Sequence, residues 1–166
     1  MNKQQYLWCV VLVRQAYKSK AITGVPAIPT AAQALLEAGH LGKGEPYDSE
    51  TGKRSYNLFG VKAYPERGLV GNNGYVECWT HEQVGDKLEL KYKCFKAYKS
   101  HKDSFTDHAE VLKLDRYKEA FNYPNDPEKF IEEVWKGGYA TDEAYLTKII
   151  PIIRTLNKIP VWMLKL

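Results

Sequence analysis

Cysteine is scarce in this 166-residue chain: the three present, Cys9, Cys78 and Cys94, stand at spacings that match neither a CxxC metal knuckle nor a dense disulfide framework. At most one bridge could form, so the fold has to rest on a hydrophobic core. Long hydrophobic runs are also missing, and nothing approaches the roughly 20 apolar residues of a membrane-spanning helix. The nearest thing to a targeting signal, Tyr6 to Val13, follows a lone Lys3 and precedes Arg14 instead of a small-residue cleavage site, so it reads as a buried helix of a soluble protein. No HExxH or HxH spacing occurs among His40, His81, His101 and His108, which points to surface or capping roles and to no metal or cofactor. Internal repeats, linkers and low-complexity segments are absent, and one domain over residues 1–166 is the economical reading. Charge of one sign is barely in excess, 24 Lys+Arg against 20 Asp+Glu, a bias toward anionic partners too small to choose between a wall polymer and nucleic acid. With 44% hydrophobic, 13% aromatic and 27% charged residues the chain is globular, which excludes disorder, collagen-like repeats and a membrane bundle.

The order of elements points to an α+β fold. Leu7, Val10, Val11, Arg14 and Tyr17 recur with helical spacing and predict a first helix over about residues 2 to 18, followed by a polar connector that Gly24 and Pro26 close. Ile28-Pro29-Thr30 announces a second helix, with Thr30 as a cap, that runs to Gly39 and places Glu37 in its last turn. His40 to Ser55 reads as a long solvent-exposed loop, functional or mobile. Tyr75 to Gln83 and Leu88 to Tyr98 alternate as two strands of a hairpin around Gly85-Asp86. Its lysines, interleaved with Tyr92, Phe95 and Tyr98, superficially resemble a nucleic-acid platform, but alternation explains them more simply, with lysines facing water or anionic glycan and aromatics facing the core. Ser100 opens a helix whose inner stripe is Phe105, His108, Ala109, Val111 and Leu112; Asp126-Pro127 opens another that Gly137-Gly138 ends; Thr141 starts the last, Ala144 to Ile159, which Pro151 should kink.

Glu37 is the first candidate for chemistry. A carboxylate at the negative end of a helix, beside Leu36 and Leu41, is harder to ionise, and a carboxyl kept protonated near neutral pH can act as a general acid. A surface glutamate is the bland alternative.

Three fragments in register tip the balance: Ala32-Gln33-Ala34-Leu35-Leu36-Glu37-Ala38-Gly39, then Tyr56-Asn57-Leu58-Phe59-Gly60-Val61-Lys62, then Gly138-Tyr139-Ala140-Thr141-Asp142 with Tyr145. Together they resemble the glucosaminidase domain of glycoside hydrolase family 73, and Phe95 to Ser100 looks like that family's lead into its central helix. The resemblance covers nearly the whole chain. It implies a lysozyme-like α+β fold, a mainly helical lobe and a small β-hairpin lobe with a cleft between them, and cleavage of the β-1,4 bond between N-acetylglucosamine and N-acetylmuramic acid in bacterial peptidoglycan.

Residue by residue, the resemblance makes Glu37 the catalytic acid and Glu82, in Trp79-Thr80-His81-Glu82, the water-activating base, with Glu77 as the alternative. Tyr139 matches the tyrosine of a GYATD motif beside the cleaved bond; Asn57 and Phe59 match an NLFG segment on the cleft floor, although Asn57 also suits backbone hydrogen bonds and Phe59 the core. Tyr145 joins the substrate-binding set through the third motif. Where the family carries Ser-Gly-Trp-Gly after its glutamate this chain has Ala38-Gly39-His40-Leu41-Gly42, so an aromatic sugar platform is lost or supplied by Tyr47. The implied partner is the peptidoglycan glycan strand, met by a monomer without nucleic acid or membrane insertion. Without a signal peptide or wall-binding repeats, a phage endolysin released by a holin, or a tail-associated lysin, is expected. A lytic transglycosylase or muramidase on the same fold, and a silent wall-binding or phage structural module, are the rivals.

Overall fold

The computed structural model describes residues 1–39, 44–85 and 87–164, with the backbone alone at 82–84 and 88. Helix α1, Lys3–Thr23, starts in a reciprocal cap: Asn2 Oδ1 accepts from Gln5 N, and Gln5 Oε1 accepts from Asn2 N, both at 2.9 Å. It runs on to Thr23 instead of stopping near residue 18, because Lys18 to Thr23 is polar but contains no breaker. Gly24 ends it in a left-handed conformation (φ 77°), its N–H donating to Lys20 O at 2.8 Å. Helix α2, Ala27–Ala38, starts three residues ahead of the expected cap. Thr30 is therefore inside it, buried, and donates back to Pro26 O and Ala27 O at 3.1 and 3.0 Å.

Small side chains explain the place of α2. Ala31, Ala32 and Ala34 are fully buried and let α1 on one side, and two later helices on the other, approach closely. Those are α4, Pro127–Lys136, capped by Asp126 Oδ1 on Lys129 N at 3.0 Å, and α5, Tyr145–Leu156. Helix α3, His101–Leu112, packs on α1, and its buried face is Ser104, Phe105, His108, Ala109 and Leu112. Asp115–Asn122 forms a 3-10 helix where the sequence predicts no element, burying Tyr117 and Ala120. The last predicted helix, α5, carries Pro151 inside it and ends at Leu156, short of Ile159; α6, Val161–Leu164, where the sequence predicts no element, packs on α1. Asp142, not Thr141, organises the start of α5, its Oδ1 accepting from Ala144 N at 2.9 Å.

The hairpin forms where expected, except that its second strand ends at Lys96, two residues before Tyr98. Strands β1, Tyr75–Val84, and β2, Lys87–Lys96, pair antiparallel with Val84 opposite Lys87. A small apolar cluster, Val76, Cys78, Phe95 and Ala97, lies under it, separate from the large helical core. The chain is therefore mostly helical with one two-stranded sheet, the helical lobe and hairpin lobe that the resemblance implies. All three cysteines are free thiols.

Candidate active site

Glu37 occupies the second-to-last position of α2, the best-buried helix of the core, and its side chain emerges where the helix runs out. A cavity of about 450 Å³ opens there between the two lobes. Glu37, Leu58 and Gly60 line it from the helical side, Cys78, Trp79, Thr80 and Phe95 from the hairpin, and Glu45, Pro46, Tyr47 and Ser49 from the segment between. The carboxyl keeps solvent access to the cavity, yet desolvation by its packed surroundings pushes its pKa above the usual carboxylate value of 4.5.

Most of segment 44–55 is solvent-exposed, as its composition suggests, but the loop is tied down. Glu45 and Ser55 are buried, Tyr47 and Arg54 form a bridge, and Asp48 closes a turn by accepting from Thr51 N at 2.8 Å and Thr51 Oγ1 at 2.7 Å. These amide and hydroxyl bonds hold the Asp48 carboxyl down to about 2. Residues 40–43, with His40 and Leu41, lie outside the described residues. Tyr47 is 60% exposed on the cavity wall.

Trp79 is the residue that sequence reasoning passed over. It borders the cavity, is 60% exposed, and faces Tyr92 across the hairpin with ring centroids 5.1 Å apart. Tyr92 therefore points outward, unlike the core-facing Phe95 and Tyr98 with which it was grouped. The available signal was its place between Cys78 and Thr80 in the segment already singled out for Glu82. The backbone of Glu82 is opposite Glu89 in the hairpin, on the pleat parity of Cys78 and Thr80; its side chain is outside the described set. Glu77 has the other parity, and its Oε1 accepts from the Cys94 thiol at 3.3 Å.

Tyr139 follows the Gly137-Gly138 stop of α4 and sits half-buried on His108, its hydroxyl 2.8 Å from His108 Nε2. Burial pushes the Tyr139 hydroxyl well above its ordinary value of 10.0, and the nearby charges of Tyr145 and Glu37 act in the same direction. His108 is 2% exposed, and burial holds its pKa down to about 3, so the imidazole is neutral. Phe59 stacks on that ring, centroids 3.8 Å apart and planes 4° from parallel. His108 is thus packed inside, not at the surface, and His101 is partly buried. Asn57 is fully buried and spends its amide on backbone: Nδ2 donates to Val61 O and Lys96 O at 2.9 Å each, and Oδ1 accepts from Phe59 N and Val61 N. Tyr145 is buried too, and its hydroxyl accepts from Gln33 Nε2 at 3.2 Å, which ties α5 to α2 one turn before Glu37. Among the described residues no group of three or more His, Cys, Asp or Glu side chains could hold a metal ion, and no helix is long and apolar enough to cross a membrane.

Comparison with known proteins adds three findings. The sequence pattern of the family described as mannosyl-glycoprotein endo-beta-N-acetylglucosaminidase matches residues 13–158. The peptidoglycan hydrolase FlgJ of Pseudomonas aeruginosa is 34% identical over 147 residues, covering 88% of this chain and 35% of that protein, so the chain spans about a third of the relative's length. In structure, the chain is similar to the glycoside hydrolase domain of FlgJ from Salmonella typhimurium, with a TM-score of 0.72 at 27% identity over 95% of this chain and 89% of that one. It is also similar to the peptidoglycan hydrolase of Sphingomonas sp. A1, with a TM-score of 0.64 at 32% identity over 90% and 91%.

Proposed function

Because the chain belongs to the glucosaminidase family of glycoside hydrolases, we propose that it hydrolyses peptidoglycan at the β-1,4 bond between N-acetylglucosamine and N-acetylmuramic acid, with Glu37 as general acid. The observation that carries this reading is the Glu37 carboxyl, open to an inter-lobe cavity while desolvation holds back its ionisation. A carboxyl so placed gives its proton to the glycosidic oxygen as the bond to the anomeric carbon breaks, and the leaving sugar departs as a neutral alcohol.

Water must then reach the anomeric carbon. In the inverting route Glu82 takes the water's proton; in the substrate-assisted route the acetamido oxygen attacks first, and Glu82 has less to do. Tyr139 serves either route as an un-ionised hydroxyl. His108 Nδ1 has no hydrogen-bond partner, and a buried orphan lone pair costs less than a buried orphan N–H. That favours the tautomer in which His108 Nε2–H donates to Tyr139, leaving the tyrosine proton free to donate into the cleft. Tyr47 and Trp79 supply aromatic faces for sugar rings in place of the tryptophan that the chain lacks after Glu37.

The test is digestion of purified peptidoglycan followed by mass spectrometry of the fragments. New reducing ends on N-acetylglucosamine support the proposal. Reducing ends on N-acetylmuramic acid would make the protein a muramidase, anhydro sugars a lytic transglycosylase, and an intact polymer a silent binding module.

A further inference from the structure

Glu45 is a buried carboxylate that this chemistry leaves unused. Its side chain is 4% exposed, and both oxygens are engaged: Oε2 accepts from Arg54 Nε at 3.2 Å and Nη2 at 2.9 Å, and Oε1 accepts from His101 Nε2. Burial alone would push its pKa up, but the hydrogen bond and charge of His101, then those of Arg54, hold it below the usual value of 4.5. The His101 ring is itself fixed edge-on by Trp8 and Tyr56, centroids 5.4 and 5.2 Å away, and the Arg54 guanidinium lies over the Tyr56 ring at 5.0 Å. Tyr56 has a positive φ of 54°, a strained backbone for a residue with a side chain. Such a fully satisfied ionic cluster is costly to assemble and more costly to break, since removing one partner strands a buried charge.

Its position matters more than its strength. Glu45 and Arg54 sit on the two limbs of one loop, joined by the Tyr47–Arg54 bridge, and His101 is the first residue of α3. The cluster therefore fastens both limbs to the helical lobe. The far side of the loop is fastened to the hairpin: Ser49 N donates to Glu77 O at 2.9 Å, and Glu77 N and Trp79 N donate to Asp48 Oδ2 and Ser49 Oγ at 3.2 and 3.4 Å. The loop is a strap across the cleft. Its near end lies against the acid's own helix end, where Gly44 N donates to Ala38 O at 2.8 Å and a Cβ on Gly44 would come within 2.9 Å of Glu37 O. Trp8 completes the enclosure, its Nε1 donating to Gly39 O at 3.3 Å.

We infer that Glu45 is a positioning residue for Glu37: by clamping the strap to α3 it sets the width of the cavity and limits how much water surrounds the acid. This rests on the reading of Glu37 as the acid. Among the described residues, the titratable groups around Glu37 are Glu45 and Tyr47 on the strap, Cys78 on the hairpin, and Tyr139 and Tyr145 from the helical side. Only desolvation accounts for the raised Glu37 pKa, so a loosened wall that admits water should relax it.

The experiment follows the Glu37 carboxyl carbon by NMR through a pH titration of the full chain, with the pH–rate profile on purified peptidoglycan measured beside it. Glu45→Gln keeps the shape of the side chain and removes its charge. Arg54→Met is the second variant; the Arg54 side chain is 57% exposed, and the change removes two donors while keeping the packing on Tyr56 and the His101 bond to Glu45, so its fold is expected to survive where that of Glu45→Gln fails. In folded variants the Glu37 midpoint is expected to fall toward 4.5, the alkaline limb of the rate profile to move down with it, and kcat at neutral pH to drop by about 10²-fold with a smaller change in KM. A purely structural role lowers melting temperature without moving that midpoint. An unmoved Glu37 midpoint in either folded variant overturns the inference. The titration needs no substrate, so wild-type protein that fails to cut peptidoglycan refutes the hydrolase reading separately.

Discussion

The Tyr139 hydroxyl rests 2.8 Å from His108 Nε2, on an imidazole that burial keeps neutral and that Phe59 covers with a parallel ring. Three segments far apart in sequence thus build one support beneath the cleft: the Tyr56–Lys62 stretch, the middle of α3 and the turn after α4. A charged imidazole would be stabilised poorly there, so the pair does not exchange a proton across the neutral pH range. In the proposed chemistry its work is to orient a hydroxyl.

That orientation separates two outcomes for Tyr139→Phe. Loss of the hydroxyl removes the donor that the proposed chemistry uses and is expected to lower kcat by more than tenfold, while the ring's packing, and with it most of the melting temperature, stays. Rate and melting measured on the same samples check this. A large melting loss with a normal rate returns Tyr139 to the core.

Glu37→Gln is expected to abolish wall lysis with native circular dichroism, since the amide cannot donate the catalytic proton. It should also raise the melting temperature at neutral pH. The folded pKa of Glu37 is above its unfolded value, so the folded state binds more protons than the unfolded state between the two values, and wild-type stability falls as pH rises through that window. Below pH 4.5 the advantage of the glutamine should vanish. Melting curves against pH that show no such convergence refute the desolvation argument.

For Glu82→Gln the two routes diverge. General-base loss costs on the order of 10²–10⁴ in rate, and azide in place of the activated water should partly restore turnover and yield an α-glycosyl azide. Mild losses for both Glu82→Gln and Glu77→Gln in folded protein leave the acetamido group as the nucleophile.

Trp79→Ala, placed in the Glu37→Gln background to separate binding from turnover, should weaken retention on insoluble peptidoglycan by about tenfold, roughly 1.4 kcal/mol. Trp79 is largely solvent-exposed, so the folded state loses little beyond its contact with Tyr92, about 0.5–1.5 kcal/mol. Unchanged retention removes Trp79 from the sugar-binding surface.

Much of this protein is local and was legible from its residues. The Ser100 cap, the Asp126-Pro127 helix start, the hairpin and the last-turn position of Glu37 all depend on neighbours within a few positions, which short-range rules read well. The errors were also local. No breaker stopped α1 at residue 18, Thr30 bonded back into its helix instead of capping it, and the 3-10 turn at Asp115–Asn122 carried no periodic signal.

The site divides along the same line. The sequence by itself determined that a carboxyl would end a buried alanine-rich helix and that a two-stranded hairpin would form further along the chain, because helix ends and tight turns are set by nearby residues. Only the tertiary structure decided that Glu45 meets Arg54 and His101, that His108 lies under Tyr139, and that Asn57 turns to backbone while Trp79 borders the cleft. Burial and partner choice across dozens of residues leave no periodicity in the chain, since a polar side chain's environment is made by whichever segments pack around it.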